Sequence, residues 1–506
     1  MELRKYTIFI YGLNIKKQLL MMVFILIIQI VYGFITTLYA IDDDVKKILA
    51  KVTGITDDDV KTASSKKEIT LFDAYVLAVN KTERLAIEGE FSIQAEERKL
   101  QAIESFLPSL SLRGTKAFPG PSSNYISIAR SSLSLYARLP LFTGLSQVSQ
   151  IKSSWADRKV KEFQLYRNAG ILLADIASTF YSVLLMEKDL KNNEQLLDRY
   201  YQQVNELKRR VQIGRSRQSD ILRTNTQIYK LQAQDKSLRT GYERVKLVLA
   251  TLIGINSDFK LVESMHLGEL VYTPTDIAKL VENRYDVKAA KEQVEYAKAG
   301  VLAAYGRHLP SIYLDGSYIL PHTQEPQYKY SQWKRALQFS LSSNPLLSLG
   351  AATYLNYGVP TKTRDYYFGL GAELPIFGGD ITFAKVREAN SVKRQTELSL
   401  SQTLRYAEKD IKDSLRAWES SKTEVEAYRK ALVSAEENYR VVYDEYRKNL
   451  VTILDVLTSL TTLQDARTAY ERSQLQLRLY RVNLGVACNE FSGDKIRILQ
   501  DIKGRQ

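Results

Sequence analysis

The chain alternates between two hydrophobic periods, and it does so twice. From about Ile69 to Phe106 the sequence is charged, alanine-rich and free of proline, as helices prefer. Pro108 closes that stretch, because proline cannot continue the hydrogen-bond ladder and restricts the residue before it. A second such helix is predicted from about Thr275 to His308, closed by Pro310. After each helix the period falls to two. Leu133, Leu135, Ala137 and Leu139 alternate with Ser132, Ser134, Tyr136 and Arg138. Ile312, Leu314, Gly316, Tyr318 and Leu320 alternate with Ser311, Tyr313, Asp315 and Ser317, and Phe368, Leu370, Ala372 and Leu374 with Tyr367, Gly369, Gly371 and Glu373. Such strands have one apolar and one polar face. At about ten residues they have the length that crosses an outer membrane when tilted. A half-buried soluble hairpin has the same pattern, and the tyrosine-rich strand ends favour the membrane barrel.

The period then returns to that of a helix, at unusual length. Leu145 to Ile213 contains no proline and only Gly170, and Ile381 to Asn449 contains neither proline nor glycine. Each stretch predicts a helix about 100 Å long. Phe163, Tyr166, Gly170, Leu173, Ala177, Phe180 and Leu184 step by threes and fours, and Val456, Leu463, Tyr470, Leu477 and Leu484 step by seven. Sustained spacing of this kind makes coiled-coil seams. A globule has no need of such a rod, whereas a chain bridging a periplasm does. The rods are expected to turn back at Gly214 and Asn449, glycine being the usual left-handed residue past a helix end and asparagine its commonest substitute.

These parts form two copies of one unit. Phe106-Leu107-Pro108-Ser109 is echoed by His308-Leu309-Pro310-Ser311 at an offset of 202. Leu139-Pro140-Leu141-Phe142-Thr143-Gly144 is echoed by Leu374-Pro375-Ile376-Phe377-Gly378-Gly379 at 235, and Gly214 and Asp220 by Asn449 and Asp455, again at 235. The difference of 33 is an insertion in the second copy, between Ile319 and Arg364, with Ser340–Gly350 near its centre and Tyr328, Tyr330, Trp333 and Tyr354 around it. It is expected to be an elongated outside loop, the sharper alternative being a lid or receptor site over the mouth.

Composition narrows the reading. Lys16 and Lys17 precede an apolar run from Leu19 to Val31, and Leu38-Tyr39-Ala40 precedes three aspartates. That order predicts a secretory signal peptide cleaved after Ala40, a membrane anchor being the alternative. No other apolar run of about 18 residues is expected to cross a membrane. The net charge is +14, of which the first 40 residues carry +3. The rest is interspersed with acids along the helices, which predicts a solvated helix surface and no nucleic-acid partner. Cys488 is the only cysteine and His266, His308 and His322 lie far apart, so no disulfide, metal site, catalytic base or cofactor is read. Gly369-Leu370-Gly371 lacks the third glycine and the helix of a dinucleotide fingerprint.

Helix, Leu-Pro-Ser, hairpin, Leu-Pro-Leu-Phe-Thr-Gly, long helix, turn and helix, done twice, resembles the TolC family of outer-membrane efflux proteins. The resemblance covers roughly residues 69 to 490. It implies a mainly α fold with an internal duplication, in which four membrane strands per chain join a trimeric twelve-strand barrel above a long helical coiled-coil tunnel. Strand count points the same way: open edges are forbidden in lipid, two chains would give eight strands with a filled interior, and three give twelve. The resemblance places Pro140, Gly144, Pro375 and Gly378 where barrel strand becomes tunnel helix. It places Asn449 to Thr458 at the second tip turn, with Asp455 at the first acidic position of an aspartate ring that narrows the periplasmic entrance. Thr458 stands where some members have a second aspartate, and Val451 where an arginine helps latch the closed tunnel. Ser219-Asp220 matches the polar pair of the first tip. An acid six residues past a turn also serves as a helix cap, so the same two aspartates have a purely structural reading.

The expected organisation is a signal peptide at 1–40, an irregular extension at 41–68, a first repeat at 69–257, a linker at 258–273, a second repeat at 274–490 with the insertion 321–363, and a tail at 491–506. The expected function is a passive conduit without enzymatic activity, the homotrimeric exit duct of a tripartite efflux pump or type I secretion system in the outer membrane. A periplasmic adaptor would dock on Ile213, Gly214, Asn449 and Leu450 and couple the duct to an inner-membrane pump of RND or ABC type. A periplasmic adaptor itself, or a coiled-coil structural protein of the envelope, are the alternatives. Fractionation with outer membrane, and conductance as an oligomer, separate the three.

Overall fold

The computed structural model describes residues 45–115, 132–263, 276–319, 366–375 and 381–491, with 493 and 496. The expected signal peptide at 1–40 and the insertion at 321–363 lie outside the described residues. Residues 45–53 are helical (α1). There follow α2 (Asp57–Ser65), β1 (Glu68–Ile69), α3 (Leu71–Lys81), α4 (Glu83–Glu104), β2 (Ser109–Thr115), β3 (Ser132–Thr143), α5 (Ser146–Gln212), α6 (Gln218–Ile253) and β4 (Lys260–Leu261). The second repeat gives α7 (Ile277–Asn283), α8 (Tyr285–Gly306), β5 (Ser311–Ile319), β6 (Tyr366–Glu373), α9 (Ile381–Arg447) and α10 (Ile453–Ala487).

The duplication is metric as well as sequential. Both α5 and α9 have 67 residues, and the start of each helix pair is displaced by 235 positions, 146 to 381 and 218 to 453. The helix at the head of each repeat departs from the expected single rod. It breaks at Thr82 (φ −111°, ψ 151°) and at Arg284 (φ −62°, ψ 139°), 202 positions apart. The reason at Thr82 lies in α3, where every residue from Leu71 to Val79 is buried. A helix apolar all round belongs inside, whereas α4 buries only one side, so one straight rod cannot serve both.

The segment before it is not irregular. Val45, Leu49, Val52, Ile55 and Ala63 of the α1–α2 region pack into the main core beside α3, and the expected linker supplies Phe259 and Leu261 to the same core. The short parallel pair β1–β4 ties these two segments together. The acid- and lysine-rich surface of 45–65 conceals a sparse apolar stripe, which is why composition alone reads as a loop. One stretch of α5 is, by length and composition, apolar enough to cross a membrane, contrary to expectation. That stretch carries Leu172, Leu173, Ile176, Ala177 and Phe180, all buried in the same core, so it is the inner face of a packed rod.

The strands form a four-stranded antiparallel sheet in the order β2-β3-β5-β6. Register places Leu112 opposite Leu135, Leu139 opposite Leu314 and Leu314 opposite Leu370, so one face is aliphatic across every strand. That face is open to its surroundings, Leu110 at 68% and Leu112 at 63% exposure. The other face is polar and internally bonded. Tyr136 donates to Asp315 Oδ1 at 2.7 Å, Arg138 lies 3.4 Å from the same carboxylate, and the Arg138 guanidinium stacks 3.8 Å above Tyr313. The helices repeat the lateral order of the strands: α4 packs on α5, α5 on α8 and α8 on α9. Since β2 follows α4, β3 leads into α5, β5 follows α8 and β6 precedes α9, sheet and helices make one continuous wall whose outermost members, among the described residues, are α4/β2 and α9/β6.

Candidate functional site

The far end of the wall is built by the two turns. At the first, α5 ends at Gln212 and Gly214 takes φ +70°. Arg215 N–H donates to Arg210 O at 2.7 Å, closing the six-residue loop that ends a helix on a left-handed residue. At the second, Asn449 takes φ +59° and Leu450 N–H donates to Glu445 O at 3.0 Å. The two turns are thus one motif, and asparagine holds the left-handed position where glycine stands in the first copy. Ile213 and Leu450 flank the turns with exposures of 66% and 71%.

Asp220 and Asp455 both sit at the third residue of the returning helix. Asp220 Oδ2 accepts from Arg217 N–H at 3.1 Å. Asp455 Oδ2 accepts from Thr452 N–H at 2.8 Å and from the Thr452 hydroxyl at 2.6 Å. Each carboxylate therefore caps its helix. The Thr452 hydroxyl first, then its N–H, holds the Asp455 carboxyl below the usual aspartate range. Asp455 remains solvent-exposed, so capping leaves its charge free to act outward.

The turns are fastened to each other by a residue that sequence reasoning missed. Arg210 of α5 lies 4.2 Å above the Tyr446 ring, approaches Tyr446 O at 3.4 Å and Asn449 Oδ1 at 3.3 Å, and is held by Glu206 at 3.1 Å. Tyr443 donates to the other Glu206 oxygen at 3.2 Å. Beneath them Leu207, Ile221, Ile228, Val456 and Leu460 form one apolar cluster drawn from α5, α6 and α10.

Residues 277–490, from the start of α7 through α10, match the family model described as outer membrane efflux protein. The antibiotic efflux pump outer membrane protein ArpC of Pseudomonas putida is 21% identical over 395 residues, 76% of this chain and 73% of ArpC. TolC of Salmonella enteritidis is 20% identical over 344 residues, covering 66% and 64%. The crystal structure of the outer membrane protein VceC from Vibrio cholerae aligns with TM-score 0.67 over 84% of this chain and 96% of VceC, at 16% identity. The second repeat thus carries the outer membrane efflux protein pattern, and most of the chain is similar to TolC-like efflux proteins. The chain serves as an outer-membrane exit duct for efflux, with its helices reaching into the periplasm. The family is one of transport conduits.

The strand-to-helix junctions of the chain differ in how much of them is described. In the first, the register shifts between Pro140 and Phe142, and Gly144 takes φ +57° with its backbone against Gly306 of α8. A Cβ on either glycine would collide with the other's carbonyl, so the chain turns from strand to rod only because both are bare. In the second, Pro375 lies just past β6, and Gly378 is outside the described residues.

A second feature invisible in the sequence sits midway along the wall. Arg284, at the α7–α8 break, is 1% exposed and pairs with Asp286 at 2.6 Å and Asp410 of α9 at 3.2 Å. Burial raises the Asp286 carboxyl, but the hydrogen bonds and charge of Arg284, with the charge of Arg167, outweigh it and bring it below its usual range. The cluster fastens α5, α8 and α9 across one level. Only the two-residue spacing of Arg284 and Asp286 hints at it; Asp410 is 126 positions away.

Proposed function

We propose that three copies of this chain close edge to edge into one duct, a twelve-strand barrel in the outer membrane continued by a helical tunnel. The observation that carries this reading is the coincidence of free edges at two levels. Among the described residues β2 and β6 each pair with one strand only, and α4 and α9, the helices joined to them, are the outermost of their layer. A strand edge in lipid has to be paired. The two outer helices also leave apolar side chains uncovered, Ile87 and Phe91 on α4, Leu398 and Tyr406 on α9, which support contact between copies. In this assembly the polar face carrying Tyr136, Arg138 and Asp315 lines the passage. Asp455 forms an acidic ring at the entrance, with Asp220 beside it. The turns at Gly214 and Asn449, with Ile213 and Leu450, dock on a periplasmic adaptor that couples the duct to an inner-membrane pump of RND or ABC type. Native mass spectrometry of detergent-solubilised protein tests the closure. About three protomers per particle, with ion conductance in planar bilayers, is the expected result. A stable monomer that conducts would overturn it.

A further inference from the structure

Short side chains cover much of the sheet's polar face. Ser109, Ser111, Ser134, Ser311 and Ser317 lie on it, and β6 adds two buried glycines, Gly369 and Gly371. The Gly369-Leu370-Gly371 stretch belongs to no nucleotide fingerprint, and register gives one of its glycines another reason. Gly371 stands opposite Tyr313, and a Cβ on it would run into the Tyr313 ring. The ring therefore settles over the backbone of β6, where only glycine leaves room.

Arg138, from the strand on the other side of β5, closes over that ring. Its guanidinium carbon lies 3.8 Å from the ring centroid. The guanidinium is placed by this stacking far more than by an acid. Its nearest approach to Asp315 is from Nε, at 3.4 Å, and the same Oδ1 already accepts from the Tyr136 hydroxyl at 2.7 Å. An arginine held for the strength of its ion pair turns both nitrogens of its fork to the carboxylate, at about 2.7–2.9 Å. Among the described residues the Arg138 guanidinium donates no hydrogen bond, and its side chain is 45% exposed. Its terminal nitrogens, Nη1 and Nη2, are thus held in a fixed plane with their hydrogens unspent.

We infer that Arg138 is a carboxylate-binding position and helps to decide which solutes the duct passes. Two parallel N–H groups on one planar edge match the two oxygens of a carboxylate. The Tyr313 stack has already ordered the arginine, so a solute meets a prepared edge and does not have to organise it. Asp315 balances the charge at this level, which makes recognition a matter of contact and not of long-range attraction. Arg138 meets solutes only if the polar face lines the passage, so this role rests on the duct reading above.

The test is block of potassium chloride current in planar bilayers by benzoate, at constant ionic strength. Wild-type current should fall in a saturating manner as benzoate is added. The double change Arg138→Gln with Asp315→Asn removes the fork and keeps the charge balance. It should raise the half-blocking concentration about fivefold or more. Arg138→Lys keeps the charge but loses the planar fork, and it should raise that concentration as far while leaving the chloride-to-potassium permeability ratio unchanged. Wild-type current indifferent to benzoate overturns the inference, and so does block that survives the double change. Full block in the lysine variant also overturns it, since charge alone would then suffice. Particle mass reports whether each variant assembles; if the double variant does not, the lysine variant decides. Protein that neither assembles nor conducts sinks the duct reading, whereas a conducting trimer that ignores benzoate sinks this inference alone.

Discussion

At the first tip the chain leaves α5 through Gly214, and at the second it leaves α9 through Asn449, 235 positions later. Both close with a bond from the residue after the left-handed position to the carbonyl five residues earlier, and both restart a helix with an aspartate at its third position. What the turns carry diverges. The first is strongly basic and holds its aspartate by one hydrogen bond; the second is close to neutral and holds its aspartate by two. Gly214 has open space around it, while the Asn449 side chain accepts from Arg210 of the other hairpin. Backbone geometry asks only for a residue that tolerates positive φ, so it constrains little else. The decoration is free to differ between the two copies.

The largest expected effect tests whether the two tips are one body. Leu207 of the first hairpin and Val456 of the second are fully buried in a shared cluster. Leu207→Ala should cost about 2–5 kcal/mol of local stability, and Val456→Ala about 1.5–3 kcal/mol. Amide hydrogen exchange should show both tips loosening in each variant. Loosening confined to the mutated hairpin would make the tips independent and remove the ground for comparing them as parts of one entrance.

How far this could be read beforehand differs by feature. Three of the four strand faces were legible, because Leu139, Leu314 and Leu370 follow a period that register then aligns. The rods were legible to within two residues, since nothing between Ile381 and Asn449 breaks a helix. Gly214 and Asn449 were legible because left-handed backbone selects residue type. The breaks at Thr82 and Arg284 were not, since neither carries proline or glycine, and at Thr82 the cause is how deeply α3 is buried. Nor was the clasp of Arg210 on Asn449, whose partners stand 239 positions apart. Local sequence encodes local geometry; contacts between repeats appear only once the rods are side by side.

A smaller effect is expected at that clasp. Arg210→Ala removes the stacking on Tyr446 and the bonds to Tyr446 O and Asn449 Oδ1. The loss should be about 1–2 kcal/mol, felt at the second turn. Exchange at residues 448–452 should accelerate while residues 213–217 stay protected. Equal acceleration at both turns would mean that Arg210 supports its own helix end and does not join the hairpins.

The smallest structural effect, and the most informative one, belongs to the paired aspartates. An asparagine at position 220 or 455 keeps a side-chain oxygen that can accept the capping bond, so helix and tip should survive both changes. The folded carboxyl of Asp455 lies below its ordinary value, so the cap contributes above an unfolded pKa of about 3.9 and is lost as pH falls through the folded value. Protection of the second tip should therefore decline only on acidification below about pH 4, and Asp455→Asn should remove that dependence. Charge is the remaining difference. If Asp455 faces the bore, three copies sum their potential in a narrow passage, and the substitution should lower cation selectivity in planar bilayers. It should also weaken block by multivalent cations added on the periplasmic side, while Asp220→Asn, beside five exposed cations of its own tip, should change both less. Should Asp455→Asn leave selectivity and block as they were while abolishing the acid-dependent loss of protection, Asp455 is a helix cap alone and the acidic ring has to be abandoned.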